Sequence, residues 1–126
     1  TKAQSMTNGH LAVNVMGVLS NAEDLIRTSV EAGIKIIIFG AGLPTKLPRI
    51  VPEEDVNLVP IISSARAATF TLKAWAKRYD RIADAFIIEG HLAGGHLGFS
   101  IEQIESPTEL CLEKILPEVL EAIKPF

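Results

Sequence analysis

The sequence holds one cysteine, Cys111, so an internal disulfide is impossible and a reducing compartment suits the chain. Positive charge is not in surplus either: 12 Lys and Arg against 15 Asp and Glu leave a formal net charge of −3. That gives no electrostatic case for nucleic acid or for an anionic membrane surface. Long apolar runs are missing too. The run 34–39 is broken by Lys35 and is far too short to span a bilayer. No charged-then-apolar segment opens the chain, so the expectation is a cytoplasmic protein without an export signal. Thr1 stands where an initiator methionine is expected, which points to residues upstream. The partner that these absences leave is a small-molecule substrate.

What is present is enough for one folded domain. The 126 residues are 48% hydrophobic and 21% charged, which excludes disorder and allows a core. Residues 11–18 are apolar except for Asn14 and read as a strand. A buried amide needs partners, and Asn14, near the strand's C-terminal end, is read as facing a ligand. A helix follows over 20–32, with Ser20 and Glu23 spaced as a capping box and Gly33 as its stop. The unit repeats with a strand over 34–39, the small-residue loop Gly40-Ala41-Gly42-Leu43-Pro44, and a short helix over 43–50 interrupted by Pro48.

Glu53-Glu54-Asp55 reads as a solvated acidic turn rather than a metal site, because consecutive acids point in different directions. Residues 56–62 form the third strand, and Ser63 or Ser64 caps a helix running to residue 79. The sharper role for either serine is a hydroxyl at the ligand end of a strand. Trp75 reads as packing on the helix's back face. Residues 83–88 read as a fourth strand, buried on both faces. A short helix over 99–105 and a last helix over 107–123 complete the pattern, with Ser106 as cap, Pro107 at the first helical position, and Cys111 as packing. Four strands alternating with helices imply a parallel sheet with right-handed crossovers. Periodicity leaves two candidates, an open doubly wound sheet or part of an eight-stranded barrel, which needs ~250 residues.

In either architecture, chemistry collects at the C-terminal ends of the strands. After the fourth strand the chain runs Glu89-Gly90-His91-Leu92-Ala93-Gly94-Gly95-His96-Leu97-Gly98. Gly94-Gly95 lets the backbone take positive φ and approach a ligand with no Cβ in the way. Imidazole is the side chain suited to proton transfer near neutrality, and His96 follows the glycine pair directly. On these residues alone, a plain strand-to-helix loop with a surface histidine stays open as the alternative.

The stretch from Glu89 to Phe99 resembles the FMN-dependent nitronate monooxygenases, formerly called 2-nitropropane dioxygenases, a family similar to the flavin-dependent enoyl-acyl-carrier-protein reductases. Val13-Asn14-Val15-Met16, Phe39-Gly40-Ala41-Gly42-Leu43-Pro44 and Pro60-Ile61-Ile62-Ser63-Ser64-Ala65-Arg66-Ala67-Ala68 match in the family's order and spacing. The resemblance implies an α/β fold, a partial (β/α)8 TIM barrel of about four βα units. Residues 1–126 would be the central segment of one FMN-binding barrel domain, its N- and C-terminal strands absent. The phosphate site that barrels build after strands seven and eight would lie outside it, so this segment alone is expected to bind FMN weakly or not at all.

By the same resemblance His96 matches the catalytic base, Asn14 and Gly94 match flavin contacts, and Gly95 and Glu89 join them as cofactor-binding residues. Glu89 stands where many nitronate monooxygenases carry glutamine. His91 is read as variable loop, and no metal is expected. The implied activity is oxidation of alkyl nitronates with oxygen. Two alternatives remain, an NAD(P)H-dependent enoyl-acyl-carrier-protein or quinone reductase and a non-catalytic α/β binding module or inactive fragment. The partner expectations are a small molecule, no nucleic acid and no membrane, with room for a homodimer.

Overall fold

Four short β-rich segments pair in sequence order, and their pairing decides between the two architectures. The computed structural model describes residues 2–105 and 110–126. Its elements are α1 (Lys2–Ser5), β1 (Ala12–Met16), α2 (Ala22–Glu31), β2 (Ile36–Gly40), α3 (Leu47–Ile50), β3 (Asn57–Ile62), α4 (Ala65–Tyr79), β4 (Ile87–Ile88), α5 (Ile101–Glu105) and α6 (Leu112–Ile123). The strand order is β1-β2-β3-β4 with every pair parallel; Asn14 lies opposite Ile38, and Ile62 opposite Ile88.

One face of this sheet packs on the helices. Val15, Ile37, Phe39 and Leu58 meet Ile26 of α2, Leu47 of α3 and Trp75 of α4, while Ile62 meets Ala68 of α4 with Ile115 and Val119 of α6. The alternate residues point the other way, and Ala12, Asn14, Met16 and Ile87 are exposed. A doubly wound sheet reverses its strand order and carries helices on both faces. Sequential order with helices on a single face is the wall of a barrel, so the fold is a partial (β/α)8 barrel.

Several local expectations are corrected. The fourth strand is only two residues long, and Ile87 is 39% exposed rather than buried on both faces. Its beginning is taken over by Asp84: the Asp84 carboxylate accepts from the Leu58 N–H at 2.7 Å, and the Asp84 N–H donates to the Leu58 carbonyl at 3.1 Å. A side chain thus occupies the ladder position that a further strand residue would fill. The capping box at Ser20 and Glu23 does not form, because α2 starts at Ala22 after Asn21, with no side-chain cap. The reciprocal pair occurs instead at α5: the Ser100 N–H donates to Gln103 Oε1 at 2.9 Å, and the Gln103 N–H donates to Ser100 Oγ at 3.3 Å.

Pro48 lies in the first turn of α3, where a missing N–H costs nothing, so it opens that helix rather than interrupting it. Gly33, at φ 85°, stops α2 as expected. The last helix starts at Leu112, with Cys111 at its N-cap position, half-buried, instead of inside an apolar stripe. The expected cap Ser106 and first-turn Pro107 lie outside the described residues. Asp55 of the acidic turn pairs with Lys35, and among the described residues no three His, Cys, Asp or Glu side chains are grouped to hold a metal. No described helix is long and apolar enough to cross a membrane.

At the N-terminal end of the sheet Arg81 ties the chain together. Its guanidinium donates to the carbonyls of Val51 at 2.9 Å and Glu53 at 3.3 Å and to that of Val56, and it lies 3.6 Å from the Asp84 carboxylate. With the side chain only 16% exposed, solvent cannot replace all of these bonds. Arg81→Ala is expected to destabilise the fold by ~3 kcal/mol, the cost of leaving several acceptors without their charged donor. Arg81→Lys should recover little, because an ammonium cannot reproduce the planar fork. A denaturation midpoint for the two variants checks this, and a wild-type midpoint for Lys would refute the fork argument.

Candidate active site

The C-terminal ends of the four strands and the loops that leave them enclose an open groove of about 650 Å³. Its floor is the open face of the sheet. Met16 and Ile61 contribute apolar surface, and Gly40 keeps the space between them clear, since a Cβ at Gly40 would lie 2.8 Å from Ile61 Cδ1. Asn14 projects from β1 on this face and is exposed to the groove rather than buried, so its amide is available to a ligand.

Two loops form the walls. The Ala41-Gly42-Leu43-Pro44 wall includes Ala41 at φ 50°, a left-handed conformation that a non-glycine residue holds only when its surroundings impose it. Trp75 supplies part of that constraint: fully buried, it donates from Nε1 to the Pro44 carbonyl at 2.8 Å. The second wall begins at Glu89, whose N–H extends the β4 ladder by donating to the Ile62 carbonyl at 2.8 Å. Gly95 turns the chain at φ 91°, and a Cβ built on Gly94 or Gly95 meets no heavy atom within 4 Å. Both glycines therefore present bare backbone to open space.

All five residues singled out from the sequence, Asn14, Glu89, Gly94, Gly95 and His96, line this one groove. His91 does not join them. Its Nδ1 lies 3.0 Å from the Leu110 carbonyl, to which it must donate, and it faces a separate cavity of about 450 Å³ at the β4 edge beside Cys111 and Leu112. The two serines divide their roles. Ser64 is the cap of α4, accepting from the Ala67 N–H at 3.2 Å, while Ser63 lines the groove and donates to the Gly98 carbonyl at 3.1 Å. That bond between β3 and the glycine loop, and the Trp75 anchor, were not readable from local patterns; the doubled serine was the one available hint. On the far flank of the loop, Glu102 is held below the usual carboxylate range by its own backbone N–H and then by Ser100.

A profile of the nitronate monooxygenase family matches residues 2–124, nearly the whole chain. The chain belongs to the nitronate monooxygenase family. This family is a branch of the flavin-dependent oxidoreductases. Among solved structures, FabK from Thermotoga maritima superposes with a TM-score of 0.77 at 26% identity, over 98% of this chain and 34% of that one. A point mutant of the same protein gives a TM-score of 0.75 over 96% and 35%. A curated relative from Mycobacterium tuberculosis, (3aS,4S,5R,7aS)-5-hydroxy-7a-methyl-1-oxo-octahydro-1H-indene-4-carboxyl-CoA dehydrogenase, is 27% identical over 123 residues, 98% of this chain and 30% of that protein. The chain thus spans about a third of the length of these relatives.

The groove fits the ring system of a flavin better than its tail. An apolar floor, two glycines with open Cβ positions, and an amide and a carboxylate at the rim suit a flat ring with a polar edge. Among the described residues no Lys or Arg lines the groove, so a phosphate would find no cation there.

Proposed function

We propose that the chain carries the substrate-facing half of an FMN-dependent oxidoreductase that oxidises alkyl nitronates with oxygen, with His96 as the general base. The observation that carries this reading is that Asn14 of β1 and, far downstream in sequence, Glu89, Gly94, Gly95 and His96 of the glycine loop line one groove at the strand ends. Membership of the nitronate monooxygenase family supports the nitro substrate. FMN, when bound, supplies the redox chemistry. The protein's own share is binding and proton transfer. Asn14 and the bare backbone at Gly94 and Gly95 would hold the flavin, with Met16 and Ile61 as apolar surface beneath. A neutral His96 imidazole takes the proton from the carbon bearing the nitro group, leaving the nitronate in the groove.

A second reading is favoured by the likeness to FabK and by Glu89, a carboxylate where many relatives of the nitro-oxidising type carry an amide. In it the groove takes an enoyl thioester or quinone with NAD(P)H as reductant, and His96 assists binding or protonation. The test is FMN titration of the purified protein, followed by oxygen uptake with nitroalkanes and, separately, NAD(P)H consumption with enoyl thioesters. Oxygen uptake without NAD(P)H supports the nitronate reading; NAD(P)H-dependent reduction alone replaces it with the reductase reading. If the chain binds no FMN even at excess, the family's activity cannot be assigned to these residues by themselves, and the non-catalytic module becomes the leading reading.

A further inference from the structure

We propose that Ser63 is a positioning residue for the glycine loop: its hydroxyl clasps the Gly98 carbonyl and thereby holds His96 over the groove. This rests on the reading of His96 as the base, but the clasp itself is visible in the geometry. Ser63 directly follows β3, the strand next to β4, and its Oγ donates across to Gly98 at 3.1 Å, spanning 35 residues of sequence. His96 lies two residues before the clasp, on the same loop, in a segment whose glycines give it little intrinsic stiffness.

The approach is close enough to dictate the residue at the Gly98 end. A Cβ on Gly98 would lie 2.3 Å from Ser63 Oγ and 3.1 Å from Ser63 Cβ, so glycine is required for the contact. Ser63 is also free for the task. The capping duty at α4 belongs to Ser64, whose Oγ receives the Ala67 N–H, so a change at Ser63 leaves the helix cap in place. Between the Gly95 turn and the α5 cap at Ser100, the clasp fixes the loop to the sheet at a point next to the histidine. A base must sit within hydrogen-bond reach of the proton it removes, so loosening this tether moves the base out of range for part of the time.

The test is a double-mutant cycle of Ser63→Ala and Gly98→Ala on the full chain, read by amide hydrogen exchange at 94–98 and by turnover with a nitroalkane. Losing one ordinary hydrogen bond is expected to speed exchange at 94–98 roughly three- to tenfold while leaving the first turn of α4 unchanged, and to lower kcat by a similar factor with KM little altered. Gly98→Ala should do the same in the Ser63 background. In the Ser63→Ala background it should add less, because the Oγ at 2.3 Å from the new methyl is gone and only the Cβ contact at 3.1 Å remains. Unchanged exchange in Ser63→Ala, or additive effects of the two substitutions, overturns the clasp. Faster exchange with full turnover overturns its positioning role. If the wild type turns over no nitroalkane, the assignment of nitronate chemistry fails on its own, and the exchange cycle still accepts or rejects the clasp.

Discussion

His96→Ala is expected to lower turnover by about two to four orders of magnitude, the range that a positioned general base contributes, while FMN affinity stays within a few-fold of wild type. The asymmetry follows from the groove. Asn14, Glu89, Gly94 and Gly95 line it independently of the imidazole, and the apolar floor of Met16 and Ile61 is untouched by the substitution. His96 is exposed on its loop and packs into neither hydrophobic cluster, so its removal costs little folding energy. Steady-state turnover beside an FMN titration of the same preparation checks the prediction. Equal losses of affinity and turnover would make His96 a flavin contact instead of a base. A preformed nitronate gives a finer cut: if proton abstraction is the role lost, supplying the anion should restore much of the rate.

The groove's charge bears on the same chemistry. Among the described residues Glu89 is its carboxylate, and no Lys or Arg lines it. An anionic nitronate arriving from solution therefore meets a site without a cation, whereas a neutral nitroalkane deprotonated in place by His96 avoids that penalty. The same feature suits the uncharged reacting ends of enoyl thioesters and quinones, so the lack of a lining cation does not separate the two readings of the function.

Much of the architecture was legible because parallel strands buried against helices announce themselves as apolar runs. β1, β2, β3 and α4 fall inside their expected segments or within one residue of them. The site was legible for a different reason. A glycine pair at a strand end frees the backbone to turn toward a ligand, a histidine beside it offers proton transfer, and the family resemblance implies the roles. What escaped depended on distant partners. The shortening of β4 follows from the Asp84 carboxylate reaching Leu58, 26 residues away, which no local period reveals. The capping box was sought at Ser20 and found at Ser100, though both offer an acceptor three residues on, Glu23 and Gln103. The chain at 16–22 is already committed to turns, with Leu19 donating to Met16 and Ala22 to Leu19, so Ser20 never reaches an N-cap position. Asn14 was expected to be a buried amide because its neighbours are apolar, yet strand alternation places it on the open face.

Trp75→Ala is expected to remove ~3–5 kcal/mol of stability, the range for deleting a buried aromatic ring, and to lower the melting temperature on the order of 15 °C. Trp75 is fully buried in the main core with Ile26, Ile37 and Leu58, so the cavity left behind opens where α2, α4 and the sheet meet. Trp75→Phe separates two contributions. Phenylalanine keeps most of the apolar contact but lacks the indole N–H, so the Pro44 carbonyl loses its 2.8 Å donor at a cost of ~1–3 kcal/mol. That carbonyl closes the loop holding Ala41 in its left-handed conformation on the groove wall, so the Phe variant should lose flavin affinity out of proportion to its stability. Thermal unfolding and FMN titration of both variants make the comparison. If the Phe variant is destabilised but binds FMN as wild type does, the indole serves the core alone and the wall is fixed by other contacts. If affinity falls with little change in melting temperature, a hydrogen bond from the back of the sheet is shaping the ligand end of the fold.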